Sequence, residues 1–155
     1  MTPKMKKRLS DEEYKFVFTN TPRLCIDLII LTDHGFLLAK RQIPPFEGLW
    51  HFPGGRVFYK ETLDEAIQRI AKTETGLNVK KEGLVGLFEI LEDGPFIHSV
   101  PAVFPARTTG GKVMGNWQGK EVTAFKEIPE KIHPYHKKFL EDHWKEISEK
   151  YKRSQ

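Results

Sequence analysis

Residues 52–77, FPGGRVFYKETLDEAIQRIAKTETGL, read as a Pro-Gly-Gly turn, a short loop and one capped helix. Thr62 and Glu65 have the spacing of a capping box, in which each side chain satisfies a backbone N–H that the first helical turn leaves open. Leu63, Ile67 and Ile70 form an apolar stripe, and Gly76 supplies the stop. Glu74 falls one turn beyond Ile70 and two beyond Ile67, so it projects from the stripe itself. A carboxylate there requires a partner, because an unpaired charge is expensive to bury. Mg²⁺, which favours carboxylate and carbonyl oxygens, is a suitable one. Gly54 and Gly55 permit close backbone approach, and an exposed carbonyl on such a turn can ligate the same kind of ion. Arg56 and Arg69 could either neutralise these carboxylates or clamp a diphosphate. Taken singly, Glu61, Glu65 and Glu74 read as solvated helix charges. The glycine pair with Glu61, Arg69, Glu74 and Gly76 at fixed spacing is what points to a site.

On the N-terminal side, Ser10 and Glu13 make another capping box and open a short helix to about Phe18, ended by Thr21-Pro22. Residues 23–32 and 36–41 read as strands of a hairpin turning at Asp33-His34-Gly35. A Pro- and Gly-rich loop runs from Ile43 to Gly55, with Leu49–Phe52 as a short strand. Beyond Gly76, strands are expected from about Leu84 to Leu91 and from Phe96 to Arg107, joined across Asp93-Gly94. Pro101 and Pro105 lack ladder donors, so an edge or a bulge is expected there. A glycine-rich loop from Thr108 to Gly119 leads to a strand at Glu121–Phe125. A final helix starts near Pro134, with the stripe Tyr135, Phe139, His143, Ile147 and Tyr151. Helices flanking a mixed sheet predict an α/β (α+β) fold, an α/β/α sandwich rather than a doubly wound parallel sheet.

The 155 residues suit one domain over residues 1–155, with 1–9 expected as a flexible basic tail and 134–151 as the C-terminal helix. Hydrophobic residues at 39% and charged residues at 30% are those of a soluble globular chain. The longest apolar run, Leu24 to Leu31, is interrupted by Asp27, so no membrane span is expected. The basic start is followed by Asp11, Glu12 and Glu13 where an export signal would be apolar. The single cysteine, Cys25, excludes an internal disulfide and reads as a core thiol, which suits a reducing cytoplasm. The net charge of +4 arises largely from the first eight residues and from Lys145, Lys150, Lys152 and Arg153, so solvated termini explain it and no nucleic-acid partner is expected. A homodimer is compatible with this composition.

The spacing of the central segment resembles the Nudix box, in which a glycine, a glutamate, an Arg-Glu pair, a Glu-Glu pair and a closing glycine recur at set intervals. Gly55, Glu61, Arg69, Glu74, Gly76 and Leu77 match that pattern, and the lead-in with Gly48, Trp50, Pro53 and Gly54 looks like its approach. Ile70 and Thr73 stand where the family places two further glutamates, which hold additional metal ions and assist the attacking water. This helix therefore offers one metal-binding carboxylate, Glu74.

The same two absences make the chain similar to the GDP-mannose mannosyl hydrolase branch of the family, which attacks a sugar carbon instead of phosphorus. Asn20-Thr21-Pro22, the strand carrying Asp27, Leu37-Leu38-Ala39-Lys40-Arg41 and Gly54-Gly55-Arg56-Val57 carry the likeness, which covers about residues 9–126. By that resemblance Glu74, the Gly54 carbonyl and Gln118 would hold one Mg²⁺, with Mn²⁺ as a substitute. Arg41, Arg56 and Arg69 would contact the diphosphate or support its site, Asp27 would lie near the nucleotide or sugar, and Glu74, Arg69 and Arg56 would carry catalysis. The implied substrate is a nucleoside diphosphate linked to a sugar, such as GDP-mannose. Two positions differ: Gly119 follows Gln118 where that branch has a histidine base, and Ser99 stands where it has a tyrosine. Two alternatives remain open. One is a pyrophosphohydrolase attacking phosphorus in ADP-ribose, a nucleoside triphosphate or a dinucleotide, with Glu61, Glu65 or Glu121 replacing the missing glutamates. The other is a nucleotide-sugar-binding regulator without turnover.

Other polar and aromatic residues have plainer readings. His133 and His136 near a helix start could imitate a metal pair, but Pro134 and the lack of a nearby carboxylate or thiol favour a surface helix terminus. His98 reads as a polar strand residue. His51 could line the pocket or pack against Trp50 or Phe52, and Trp117 beside Gln118 could stack on a base or simply pack its loop.

Overall fold

The computed structural model describes residues 8–44, 46–92, 98–114 and 121–153. Ser10 caps α1 (Asp11–Asn20): its hydroxyl accepts the Glu13 N–H and the Glu13 carboxylate accepts the Ser10 N–H. Strands β1 (Arg23–Thr32) and β2 (Gly35–Lys40) form the expected hairpin. The short strands β3 (Trp50–His51) and β4 (Gly54–Arg56) follow, and then α2 (Leu63–Thr75). The capping box of α2 is formed by Thr62 and Glu65, and Gly76 ends the helix in the left-handed conformation at φ 80°, donating to the Lys72 carbonyl.

Strand β5 (Leu77–Lys81) begins directly at that cap, which sequence reasoning missed because Asn78, Lys80 and Lys81 dilute its apolar pattern. Instead of one strand over Leu84–Leu91 there are two short ones, β6 (Gly86–Leu87) and β7 (Ile90–Leu91). The long β8 (His98–Gly111), β9 (Glu121–Phe125) and α3 (Pro134–Arg153) complete the described elements. The Asp93-Gly94 connection and Phe96 lie outside the described residues.

The sheet runs β3-β2-β1-β8-β5, with β9 on β2. Strand β1 is parallel to β8 over Arg23↔Ser99 to Leu31↔Arg107, while its hairpin partner β2 is antiparallel, so the sheet is mixed. Burial on both faces explains why Ile26 to Leu31 is nearly continuously apolar. Ile26, Leu28 and Ile30 join Ile67, Ile70 and Ala71 of α2 in one core cluster. Ile29 and Leu31 join Phe52, Phe139, Leu140 and Ile147 beneath α3 in another.

Contrary to expectation, Pro101 and Pro105 sit in a strand flanked on both sides. They are tolerated because β8's second neighbour is discontinuous. Strand β5 ends opposite Ala106, β6 covers Val103 and Ala102, and β7 covers Ser99 and His98. Each proline falls in a gap between these pieces, and its carbonyl still accepts a backbone N–H, from Phe88 for Pro101 and from Glu82 for Pro105.

Ile70 is 1% exposed, and its side chain lies beneath Gly55, where an added Cβ would stand 3.4 Å from it. The residue that replaces a family glutamate is thus part of the core. Ile70→Ala should lower stability by about 2–5 kcal/mol, read as a lower urea midpoint at unchanged m-value.

Candidate active site

One edge of β1 changes partner along its length. Leu31 and Thr32 pair with β2, whereas Cys25, Ile26 and Asp27 pair with Arg56, Gly55 and Gly54 of β4. Between the two pairings, the Leu28 N–H donates to the Pro53 carbonyl at 2.8 Å. A cavity of about 170 Å³ borders this division, with Asp27, Arg41, His51, Gly54, Glu74 and His136 in its wall. The predicted site residues Asp27, Arg41, Gly54 and Glu74, scattered through the sequence, therefore meet in one place. Gln118, Gly119 and Trp117 lie outside the described residues.

Gly54 is required by space. A Cβ there would stand 2.1 Å from Asp27 Oδ1 and 2.8 Å from the Ile26 carbonyl oxygen. On α2, Glu74 is half-buried against the cavity, whereas Thr73 is exposed. Arg69 is directed to the loop before the helix. Its Nε donates to Glu61 Oε2 at 2.8 Å and its Nη2 to Glu61 Oε1 at 2.9 Å and to the Arg56 carbonyl at 2.7 Å. The Phe58 N–H adds a bond to Glu61 Oε1 at 3.0 Å, and the guanidinium carbon stands 3.8 Å from the centre of the Phe58 ring. This forked pair, with the Glu61 side chain only 4% exposed, fastens the loop to the helix. Arg69 is thus paired with Glu61.

Arg56 lies among the rings of Phe58, Phe18 and Tyr14, its guanidinium carbon 4.9, 5.2 and 5.9 Å from their centres. Arg23, which sequence reasoning passed over, donates from Nη1 to the Tyr14 hydroxyl at 2.6 Å. Its position two residues before Cys25 in a strand was the available signal. Burial lowers the Arg41 pKa, partly offset by the Glu74 charge and reinforced by Arg23. Among the described residues, the buried side-chain nitrogens and oxygens without a hydrogen-bond partner are Arg23 Nε, Arg41 Nε and Asp27 Oδ2. Native interiors rarely leave such groups unmet, and two of the three, those of Asp27 and Arg41, belong to residues of the cavity wall.

His133 and His136 are not on the surface: they are 6% and 5% exposed. The first turn of α3 is held against the sheet, and the buried stripe is His136, Phe139, Leu140 and Ile147 instead of the phase that begins at Tyr135. His136 Nδ1 accepts the Phe52 N–H at 2.9 Å, so in the neutral ring Nε2 carries the proton. Nε2 stands 3.3 Å from Asp27 Oδ2, in contact but not aligned as a hydrogen bond. Burial raises the Asp27 pKa to about 7 and lowers that of His136 to about 3, so both tend toward their neutral forms and the contact is not a fixed ion pair. His51 Nδ1 donates to the Phe52 carbonyl at 2.7 Å, and burial lowers its pKa to about 4. Cys25 also borders the cavity, with its thiol pushed up to about 11 chiefly by burial, which makes it a poor nucleophile. His98 is half-buried at the start of β8 and is not part of the cavity wall.

These shifts imply a pH dependence of stability. Between about pH 6.5 and pH 4 the unfolded chain protonates His51, His133 and His136, whereas the folded values are about 4, 3 and 3. Asp27 opposes them, because its folded carboxyl keeps a proton up to about pH 7 that the unfolded one loses near 3.8. With three groups against one, stability should fall as pH drops below 6.5, by about 1.4 kcal/mol per pH unit for each net proton. Urea midpoints at about pH 7.5, 6 and 4.5 check this, and a flat profile would contradict it.

The NUDIX domain family model matches residues 21–143. The chain is 31% identical over 140 residues to the low-salt glycan biosynthesis protein Agl8 of Haloferax volcanii, covering 86% of this chain and 90% of that protein. It is 35% identical over 128 residues to an ADP-ribose pyrophosphatase of Methanocaldococcus jannaschii, covering 80% of this chain and 75% of the relative. In fold it is similar to a MutT NUDIX hydrolase from Burkholderia pseudomallei, with a TM-score of 0.70 at 24% identity over 79% of this chain and 98% of the other. Nudix enzymes generally use a divalent metal such as Mg²⁺ or Mn²⁺ and act on small molecules containing a nucleoside diphosphate. The capped α2 with its Glu61–Arg69 clamp, the mixed sheet between helices and the match over residues 21–143 place the chain in the Nudix family of hydrolases.

Proposed function

We propose that this Nudix hydrolase acts on a nucleoside diphosphate linked to a sugar, with water attacking the sugar carbon and the diphosphate departing. The observation that carries this reading is the division of labour on α2. Ile70 is in the core and Thr73 is exposed, so Glu74 is the box carboxylate that faces the cavity. Glu61 is engaged with Arg69, and Glu65 caps the helix through the Thr62 N–H, which argues against either standing in for the missing glutamates.

The donor set fits one hard cation. Glu74 and the Gly54 backbone border the same cavity, and Gln118 is the third ligand implied by the family resemblance. When bound, Mg²⁺ would supply Lewis-acid stabilisation of the diphosphate oxygens. The chain's own part is electrostatic. Arg41, in the cavity wall, has a buried Nε–H without an acceptor, which suits it to stabilise a leaving diphosphate. Arg56 is held ready by its aromatic neighbours, and Arg69 keeps the loop in place. The likeness to a protein named for glycan biosynthesis supports a nucleotide-sugar substrate.

The likeness to an ADP-ribose pyrophosphatase favours a second reading, attack at phosphorus. Turnover of nucleotide sugars, dinucleotides and nucleoside triphosphates with Mg²⁺, followed in ¹⁸O-labelled water, separates the two. Label in the free sugar is the expected result; label in a nucleoside monophosphate or sugar phosphate would establish phosphorus attack. Binding without turnover of any substrate would favour a regulator. Glu74→Gln should abolish Mg²⁺-dependent hydrolysis while leaving the unfolding transition cooperative, and near-normal turnover in that variant would refute the one-metal site.

A further inference from the structure

Gly119 has no side chain to accept a proton, so an attacking water needs its base from elsewhere in the cavity. The wall offers Cys25, Asp27, Arg41, His51, Glu74 and His136 as titratable groups. Most of these are committed. Burial pushes the Cys25 thiol up to about 11, so it keeps its proton, and Arg41 is a cation without a lone pair to give. Glu74 is the proposed metal ligand. His136 Nδ1 already accepts the Phe52 N–H, so its ring turns a donor, Nε2–H, to its neighbours. Asp27 Oδ2 is enclosed, and Oδ1 lies against the Gly54 backbone, where an added Cβ would be 2.1 Å away.

His51 is arranged differently. Its Nδ1 donates to the Phe52 carbonyl at 2.7 Å, which fixes the tautomer and leaves the lone pair on Nε2. Nε2 is not among the enclosed, unpartnered nitrogens of the described residues, and the residue lines the cavity. Burial first, then the charges of His136 and Arg41, favour the neutral ring, which keeps that lone pair available. The backbone around it is held on both sides. The Trp50 N–H donates to the Lys131 carbonyl and the Trp50 carbonyl accepts the His133 N–H, each at 2.8 Å, while the Phe52 N–H is bound by His136. Trp50 and Phe52 pack in the core beneath α3, and strand alternation turns His51 to the other face. Its cross-strand partner Ala39, two residues from Leu37 of the core beneath α2, places it on the α2 face. Glu74 reaches the cavity from that same helix.

We propose that His51 is the general base of the hydrolysis, with Nε2 taking a proton from the water that attacks the sugar carbon. This rests on the reading of the substrate as a nucleoside diphosphate linked to a sugar. The water oxygen forms a bond to the sugar carbon as its proton passes to Nε2. The bond from that carbon to the bridging oxygen breaks, and its electron pair leaves with the diphosphate. A diphosphate beside Arg41 offsets one of the charges that oppose the imidazolium, so the ring accepts the proton as it arrives. The imidazolium then releases the proton to solvent, with Nδ1–H bonded to the Phe52 carbonyl throughout.

The test follows free-sugar release from GDP-mannose and ADP-ribose by the full chain with Mg²⁺. His51→Ala should lower kcat by about 10²–10⁴-fold while KM stays within about threefold of the parent. His51→Gln keeps a polar side chain but no base and should lose as much, with thermal unfolding reporting the fold of each variant. Added imidazole should raise the His51→Ala rate by about tenfold or more and leave the parent rate unchanged. Pyrazole has the same size but is a far weaker base, so it can fill the gap without taking a proton and should restore nothing. Near-parental kcat in the variants, equal rescue by pyrazole, or no rescue by imidazole in a folded His51→Ala protein would overturn the base. If the parent releases free sugar from neither compound, the nucleotide-sugar reading itself fails and the base with it. Free-sugar release by the parent that survives the loss of His51 removes the base alone.

Discussion

The contact between the Gly54 backbone and the Asp27 carboxyl is the constraint on which the rest of the site depends. A methyl group at Gly54 would stand 2.1 Å from Asp27 Oδ1, so β4 can lie against β1 only because this residue has no side chain. That approach lets one edge of β1 hold β4 at Cys25–Asp27 and β2 at Leu31–Thr32. The cavity borders the resulting division, and the loop that leads into α2 starts from it. Backbone packing thus sets the distance between Asp27 on the central strand and Glu74 on the helix.

The helix is anchored twice. Ile70 fills the space beneath Gly55, and Arg69 ties Glu61 and the Arg56 carbonyl together. A forked Arg–carboxylate pair with one largely buried partner is geometrically specific, so it determines how the Pro-Gly-Gly turn faces the cavity. Substituting Ile for glutamate at position 70 moves that position from the chemistry to the core. The helix keeps its place and presents Glu74 to the cavity, which Arg41 also borders.

Two of the arginines, Arg23 and Arg41, come from outside the central segment, which itself carries Arg56. Arg23 begins β1, Arg41 follows β2, and Arg56 ends β4. The aromatic residues of α1 hold two of them, Tyr14 bonding Arg23 and, with Phe18, bordering Arg56. Helix α1 contributes no buried residue to the core, and its visible contribution is to the cationic border of the site. Burial favours the neutral imidazole at His51 and His136, which line the cavity with Asp27. The cavity wall therefore combines Arg41 and Glu74 with the imidazoles of His51 and His136 and the carboxyl of Asp27.

Local chemistry alone determined the two capping boxes, the Gly76 stop, the first hairpin, β9 and the start of α3, because each depends on residues a few positions apart. The fixed spacing of Gly55, Glu61, Arg69 and Glu74 likewise made the family and its cavity-lining carboxylate legible, since one helix and its entry loop carry them all. What depended on partners distant in sequence was decided by the tertiary structure. The prolines of β8 fit between flanking strands only because β5, β6 and β7 leave gaps opposite them, which no local rule encodes. His133 and His136 look like surface residues at a proline-started helix, and become buried because α3 packs its first turn on Phe52, eighty-four residues earlier for the His136 bond. Arg23 is brought level with Ser99 of the cavity wall by a parallel pairing of strands far apart in sequence. Periodicity and capping act within a few turns of chain, whereas burial and the pKa shifts it causes are properties of the packed whole.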